Sequence, residues 1–263
     1  MDLSPWGSPP LGARLGGGHR NEVYRAGDRV ARRSRRSPAS LEWELDLLDH
    51  LSRNDFTVPT VVPARDGRRH VDGVVVQEWL PGREPADGDW PLVADELRRL
   101  HALMAGWPPR PDFPGTRELL TRDQGGDVDL TRMPASVVAT CRKAWRALTG
   151  PTTVVHGDPC AANIRVQDDG GIGFLDWDEA RVDHPWLDLG DLPGHQVPAT
   201  TATMTATTTA RTTARTAAGS TAAATASARA AVDAWEVANA WFMEPTYARR
   251  RLARLPVDHF VDN

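Results

Sequence analysis

Residues 154–178 read VVHGDPCAANIRVQDDGGIGFLDWD. Two β-branched residues open the stretch, as a short buried strand would. His156-Gly157-Asp158 follows, then four residues, then Asn163. Two apolar-rich runs, Ile164 to Gln167 and Ile172 to Leu175, flank Asp169-Gly170, and the chain then reads Asp176-Trp177-Asp178. Asp-Gly between short apolar runs signals a hairpin, because a type I′ turn needs positive φ at both central residues. With Asp169 and Gly170 as those residues, Gln167 faces Ile172, Ile164 faces Leu175 and Asn163 faces Asp176. Directly opposed Cβ atoms lie roughly 4.5–5.5 Å apart. An amide oxygen and a carboxylate at that spacing form a hard, all-oxygen pair of the kind Mg²⁺ accepts. Asp158, in the loop feeding the same end, is a further carboxylate placed to orient or deprotonate a hydroxyl. The register is decisive, since a slip of one residue moves Asp176 to the other face.

An Asp, an Asn five residues on and an Asp after a hairpin is the metal-and-base layout of kinase-type phosphoryl transfer. HGD-x4-N followed by FLDWDEA also resembles the aminoglycoside phosphotransferase family. Those small-molecule kinases share a protein-kinase-like fold and include choline, homoserine, fructosamine and macrolide kinases. The resemblance implies an α+β, two-lobed protein-kinase-like fold, with an antiparallel-sheet N-lobe carrying one helix and a mainly helical C-lobe carrying the catalytic hairpin. It implies an N-terminal nucleotide-binding lobe over residues 1–80 and a catalytic and acceptor lobe over 81–263. It also implies ATP and Mg²⁺ as cofactors, a small-molecule hydroxyl as acceptor, Asp158 as the catalytic residue, and Asn163 and Asp176 as metal ligands. An ordinary hairpin with surface acids would need three polar residues to fall on this layout by accident.

Composition agrees with an enzyme of this size. The 263 residues suffice for one or two domains with a core. A 40% hydrophobic and 25% charged composition is that of an ordinary globular protein. A net charge of −4 argues against general nucleic-acid binding. Cys141 and Cys160 make neither a disulfide framework nor a zinc site. No run approaches membrane-spanning length and the N-terminus lacks a basic start, so the expected location is the cytoplasm.

Upstream, Gly16-Gly17-Gly18 lies between strand-like runs, where bare backbone approaches a phosphate closely. In the family a glycine-bearing turn between the first two strands covers the nucleotide, and Gly17, Gly18 and His19 resemble it. Val30 to Arg33 reads as a strand. The family places a basic residue there against the α and β phosphates; Arg32 matches, with Arg33 as runner-up because alternation alone does not choose. Arg35 and Arg36 read as a solvated basic turn. Ser37-Pro38 starts a helix with Ser as N-cap, and Leu41, Leu45 and Leu48 form its stripe. Glu44 matches the family's partner for the basic strand residue, with Glu42 as the alternative. Val74 to Val76 is a buried strand leading to the interlobe hinge, where Gln77, Glu78 and Leu80 would meet the adenine through their backbone.

The second lobe opens with a helix from Leu92 to Trp107, its stripe Val93, Leu97, Leu100 and Met104. Residues 107–134 show no pattern. A further helix carries Val138, Cys141, Trp145 and Leu148. Asp178 ranks second to Asp176 as a metal ligand, and Asp188 resembles the family's support for the catalytic loop. Residues 199–231 are almost all Thr and Ala, with no large apolar stripe, so a disordered or weakly helical tract is expected. Two other functions are conceivable for the same stretch: a nucleotide binder with little or no turnover, and a metal-dependent hydrolase with His156, Asp158 and Asp176 as ligands.

Overall fold

A computed structural model describes residues 1–7, 11–15, 21–194 and 212–255. In chain order its elements are β1 (Glu22–Ala26), β2 (Arg29–Arg33), α1 (Pro38–Arg53), β3 (Val61–Val62), β4 (His70–Val71), β5 (Val74–Glu78) and α2 (Trp90–Leu103). Then come β6 (Gln124–Gly125), β7 (Val128–Asp129), α3 (Ala135–Arg146), β8 (Thr153–Val155), β9 (Ile164–Val166), β10 (Ile172–Phe174), β11 (Arg181–Asp183), α4 (Trp186–Leu189), α5 (Thr212–Ala240) and α6 (Pro245–Leu252). The mixture of helices and antiparallel pairs is the α+β class expected. Two compact units interleave in the sequence: Met1–Val93, Pro109–Phe113 and His156–Arg181 form the first, the remainder the second.

The first unit is built on a five-stranded antiparallel sheet with β5 at its centre. β5 pairs with β2, β3 and β4, and its Val74, Val75 and Val76 are buried. A strand covered on both faces reads as a continuous apolar run, as here. Ala31 opposite Val76 faces a cluster with Leu3, Trp6, Ala26, Ala64 and Val74. Arg32, one residue on, faces the other way opposite Val75. α1 begins as its sequence dictates: the Ser37 hydroxyl accepts from the Ser40 N–H and Pro38 fills the first turn. Leu41, Leu45, Leu48 and Leu51 bury its apolar stripe.

The β9–β10 hairpin belongs to this unit, and its register differs from the expectation by one residue. Ile172 pairs with Val166 and Phe174 with Ile164. The cause is the turn. Only Gly170 adopts positive φ, at 86°, while Asp169 does not. The Gly170 N–H donates to Gln167 O and the Gln167 N–H to Gly171 O, a three-residue loop with a glycine bulge instead of a two-residue type I′ turn. Asn163 is therefore opposite Leu175, not Asp176. Backbone outside the hairpin extends both its edges: the Phe174 N–H donates to Thr57 O, and Arg83 and Val166 exchange two bonds.

In the second unit α3 buries Val137, Cys141 and Trp145, so the stripe runs through Val137 and not Val138. Residues 199–211 of the Thr/Ala tract lie outside the described residues, but from Thr212 the chain is helical. Its last turns are packed: Ala228, Ala231, Val232, Trp235 and Asn239 are buried. The expectation of a loose tract rested on the lack of large apolar residues. Alanine is the best helix former, and small side chains let backbones approach. A Cβ on Gly190, just after α4, would lie 2.8 Å from Trp186 O and 3.0 Å from the Ala228 carbonyl carbon. Gly190→Ala therefore forces α4 and α5 apart. The expected loss is about 1–3 kcal/mol, read as a melting-temperature drop of ~2–4 °C per kcal/mol.

Candidate active site

The strands β9 and β10 hold the His156–Asn163 loop and the Asp176 turn at one end of the first unit. His156 is fully buried, with its ring 4.7 Å from that of Trp177 and 5.6 Å from that of Phe174. Its Nε2 donates to Leu175 O at 2.8 Å and its Nδ1 accepts from the Asp158 N–H at 3.3 Å. Both nitrogens are engaged, which fixes the tautomer and leaves the ring no lone pair for a metal. Among the described residues no group of three or more His, Cys, Asp or Glu is arranged to hold a metal ion. With both ring nitrogens engaged, His156 does not take the ligand role that the hydrolase reading gave it. Gly157 meets a steric demand: its φ is 93°, and a Cβ there would lie 2.5 Å from Glu179 O.

Asn163 Nδ2 donates to Asp158 Oδ2 at 2.9 Å and to Asp158 O at 3.0 Å. With its amide hydrogens spent on Asp158, Asn163 keeps Oδ1 as an acceptor. The link to Asp176 runs through Leu175, whose N–H donates to Asn163 O at 2.8 Å and whose carbonyl takes the His156 proton. Asp176 leaves the hairpin in a left-handed conformation, φ 55° and ψ 68°, which re-aims its side chain independently of strand alternation. Its side chain is exposed on one side and crowded by protein on the other. That desolvation raises its carboxyl above the ordinary range, with repulsion from Asp178 and Glu44 adding to it and Arg32 opposing. Asn163 Oδ1 and the Asp176 carboxylate are the hard oxygen donors that a divalent cation would use.

The expected Arg32–Glu44 pair forms, and it is buried: Arg32 is 5% and Glu44 1% exposed. Arg33, the runner-up, is half-buried and reaches Asp72 O, and Glu42 goes to Arg69 and His70. Burial works against the Arg32 charge, but attraction to Glu44, then Asp178 and Asp176, outweighs it and raises its pKa. Asp178 is an ion-pair partner of the site's arginines, 3.3 Å from Arg32 Nη1 and 2.6 Å from Arg36 Nη2. Burial alone would raise its pKa; Arg36 and Arg32 instead bring it down to about 2. Arg36 is thus no solvated turn residue, since it also stacks 4.6 Å over Phe113.

The sequence reading missed Arg110, which lies in the patternless 107–134 segment. Its guanidinium sits 2.9 Å from Glu44 Oε2 and donates to Ser40 Oγ and to the carbonyls of Trp177, Asp178 and Ala180. The only signal was an arginine beside Trp and Phe between prolines, which does not distinguish it from a surface loop.

Of the positions expected to meet the nucleotide base, Gln77 is half-buried and Glu78 exposed at the end of β5. The Glu78 N–H is taken by Thr60 O and that of Trp79 by Asp28 O. Leu80 packs near Gly173, where a Cβ would lie 2.9 Å from Leu80 Cδ2. Gly17, Gly18 and His19 lie outside the described residues. In the second unit, Asp188 meets His101 Nε2 at 2.8 Å, both buried.

Against known proteins, residues 12–241 match the family described as the phosphotransferase enzyme family, APH. No curated protein matches. Among solved structures, the amicoumacin kinase hAmiN in complex with AMP-PNP, Ca²⁺ and Ami is similar with a TM-score of 0.60 at 15% identity, over 94% of this chain and 90% of that one. The choline kinase LicA from Streptococcus pneumoniae gives 0.59 at 13% identity, over 93% and 92%. The GDP and kanamycin complex of APH(2")-IIia gives 0.59 at 13% identity, over 95% and 94%. At these identities the likeness establishes the fold, which is α+β and of the protein-kinase type.

Cys160 reports on this loop. Its thiol lies 3.8 Å from Asp158 Oδ2. Desolvation, then the Asp158 charge, pushes its pKa up to about 11. Both causes disfavour the thiolate, so alkylation at pH 8 should be slow and should rise with pH towards that value. In Asp158→Asn the charge contribution disappears, the pKa falls, and alkylation at pH 8 quickens; thiolate absorbance against pH measures the shift.

Proposed function

Because the chain belongs to the phosphotransferase enzyme family, we propose that it is an ATP-dependent kinase that transfers the γ-phosphoryl group to a hydroxyl of a small molecule. The observation that carries this reading is the buried Arg32–Glu44 pair in the same compact unit as the Asp158–Asn163 contact. Arg32 would steady the nucleotide's phosphates, with Glu44 holding its guanidinium in place. Gly17, Gly18 and His19 would cover the phosphates, and the backbone around Gln77, Glu78 and Leu80 would meet the base. Asp158, held by Asn163 and by its own N–H bond to His156, would orient the acceptor hydroxyl and take its proton. Asn163 and Asp176 would hold Mg²⁺, which when bound neutralises charge on the phosphates. The remaining catalysis is positioning and charge stabilisation by groups already in place.

The acceptor class is read as small hydroxyl compounds in general, the aminoglycosides among them. Where ATP is the donor, the cytoplasm is the compartment that supplies it. The alternative reading is a nucleotide binder with little or no turnover.

Ligand that binds only the folded state raises the melting temperature. Mg-ATP in large excess should stabilise the wild type by several degrees, on the scale of ~2–4 °C per kcal/mol, and Asp176→Ala should lose most of the shift. No response in the wild type would reject the kinase reading. Asp158→Asn should keep the Mg-ATP shift while phosphoryl transfer to a panel of hydroxyl acceptors falls by about 10²–10⁴. Equal rates in the two proteins would remove Asp158 from its role, and a wild type that binds Mg-ATP but transfers to none of the panel would favour the binder.

A further inference from the structure

We propose that Arg110 is a positioning residue for the nucleotide site. A single buried guanidinium holds Glu44 toward Arg32 and at the same time pins the turn that carries Asp176 and Asp178. The inference rests on the kinase reading above and adds a residue to it.

The Glu44 carboxylate is divided between two arginines. Its Oε1 meets Arg32 Nη2 and its Oε2 meets Arg110 Nη2 at 2.9 Å. A carboxylate held by one arginine can rotate about its last torsion; held by two, it is fixed in plane. Arg110 spends its other nitrogens on backbone and on α1. Nε donates to Ser40 Oγ at 2.8 Å, one turn before Glu44. Nη1 serves the carbonyls of Trp177, Asp178 and Ala180 at 3.3, 3.0 and 2.9 Å. These carbonyls form the turn directly after Asp176. The side chain is 0% exposed and lies between Trp43 and Phe113, 5.4 and 5.3 Å from the ring centres.

Burying a guanidinium carries a large desolvation cost, and apolar residues of equal volume often stabilise a fold as well. What they do not supply is a rigid planar fork with five donors. Here that fork joins the element bearing the phosphate arm's partner to the element bearing the metal carboxylate, with all three nitrogens engaged. Lysine, a single point charge on a flexible stem, keeps the charge beside Glu44 without holding the three carbonyls.

The experiment titrates wild type, Arg110→Ala and Arg110→Lys with a fluorescent ATP analogue and Mg²⁺, with thermal melts run on each. The expected result is a folded Arg110→Ala protein whose Kd rises on the order of tenfold or more. Millimolar methylguanidinium should restore most of that loss, and Arg110→Lys should fall between. Rescue by a free guanidinium is a response that generic destabilisation does not give. A folded Arg110→Ala protein with unchanged Kd, or a weakened one that methylguanidinium leaves unmoved, would overturn the assignment. Where Arg110→Ala does not fold, Arg110→Lys decides: weaker binding at a preserved melting temperature supports the role, and unchanged binding rejects it. A wild type that does not bind the analogue at all rejects the kinase reading and the role of Arg110 with it, an outcome distinct from a variant that binds normally.

Discussion

Two buried arginines share one carboxylate, and the first unit is arranged around that fact. Glu44 is a charged residue in the middle of a leucine stripe, 1% exposed. Unpaired, it would cost far more than any helix of this length could recover. Arg32 from β2 and Arg110 from the 109–113 segment make its burial tolerable, and each brings a second acid or a set of carbonyls with it. Asp178 closes the system by taking Arg32 and Arg36. Loss of one member leaves a buried charge without its partner, which is why such networks are broken at a cost of roughly 3–5 kcal/mol. The sheet, α1 and the turn after β10 are thus held together by ion pairs as much as by apolar burial. The same ion pairs aim the groups assigned to the phosphates.

The hairpin shows how a chemical pattern and a geometric derivation can part company. The residue types and spacings of His156 to Asp178 pointed to a loop, a hairpin and an acid beyond it, and the structure has all three. The register derived from Asp169-Gly170 was wrong by one residue, because only Gly170 takes positive φ. The residue types alone do not separate the two turns, since both loops end in Asp-Gly. The error did not detach Asp176 from the site. Its own left-handed conformation turns it out of the strand, so its direction is set by φ and ψ at one residue and not by pleat alternation. The Asn163 O and Leu175 N–H bond then ties the two ends together at the backbone.

Arg32 and Glu44 were legible through the family resemblance, since alternation does not choose between Arg32 and Arg33, and the Ser37 cap through a strong N-terminal signal. Arg36 and Arg110 were not. Each lies in irregular chain, where no period separates an inward side chain from an outward one, and each is drawn inward by an acid distant in sequence, Asp178 for Arg36 and Glu44 for Arg110. The Ala-rich helix α5 failed the other way. Its pattern was sought in large apolar residues, whereas its packing comes from their absence, with the Ala228 backbone close against Gly190.

The acids of the second unit bear on what the acceptor can be. A polycation would be drawn to clustered carboxylates, and the sequence offers Asp183, Asp191, Asp233, Glu236 and Glu244. Asp183 is 1% exposed and spent on Thr116 and the His184 N–H. Asp191 and Asp233 both hold Arg251 Nη1 at 2.8 Å, and Glu236 accepts from the Tyr247 hydroxyl, which in turn accepts from Arg251 Nε. Burial raises the Asp233 pKa even against Arg251, a further sign that this acid is not a ready counter-ion. Four of these five carboxylates already have partners inside the unit. On charge alone, these four acids are met within the second unit by Arg251 and by hydroxyl and backbone donors.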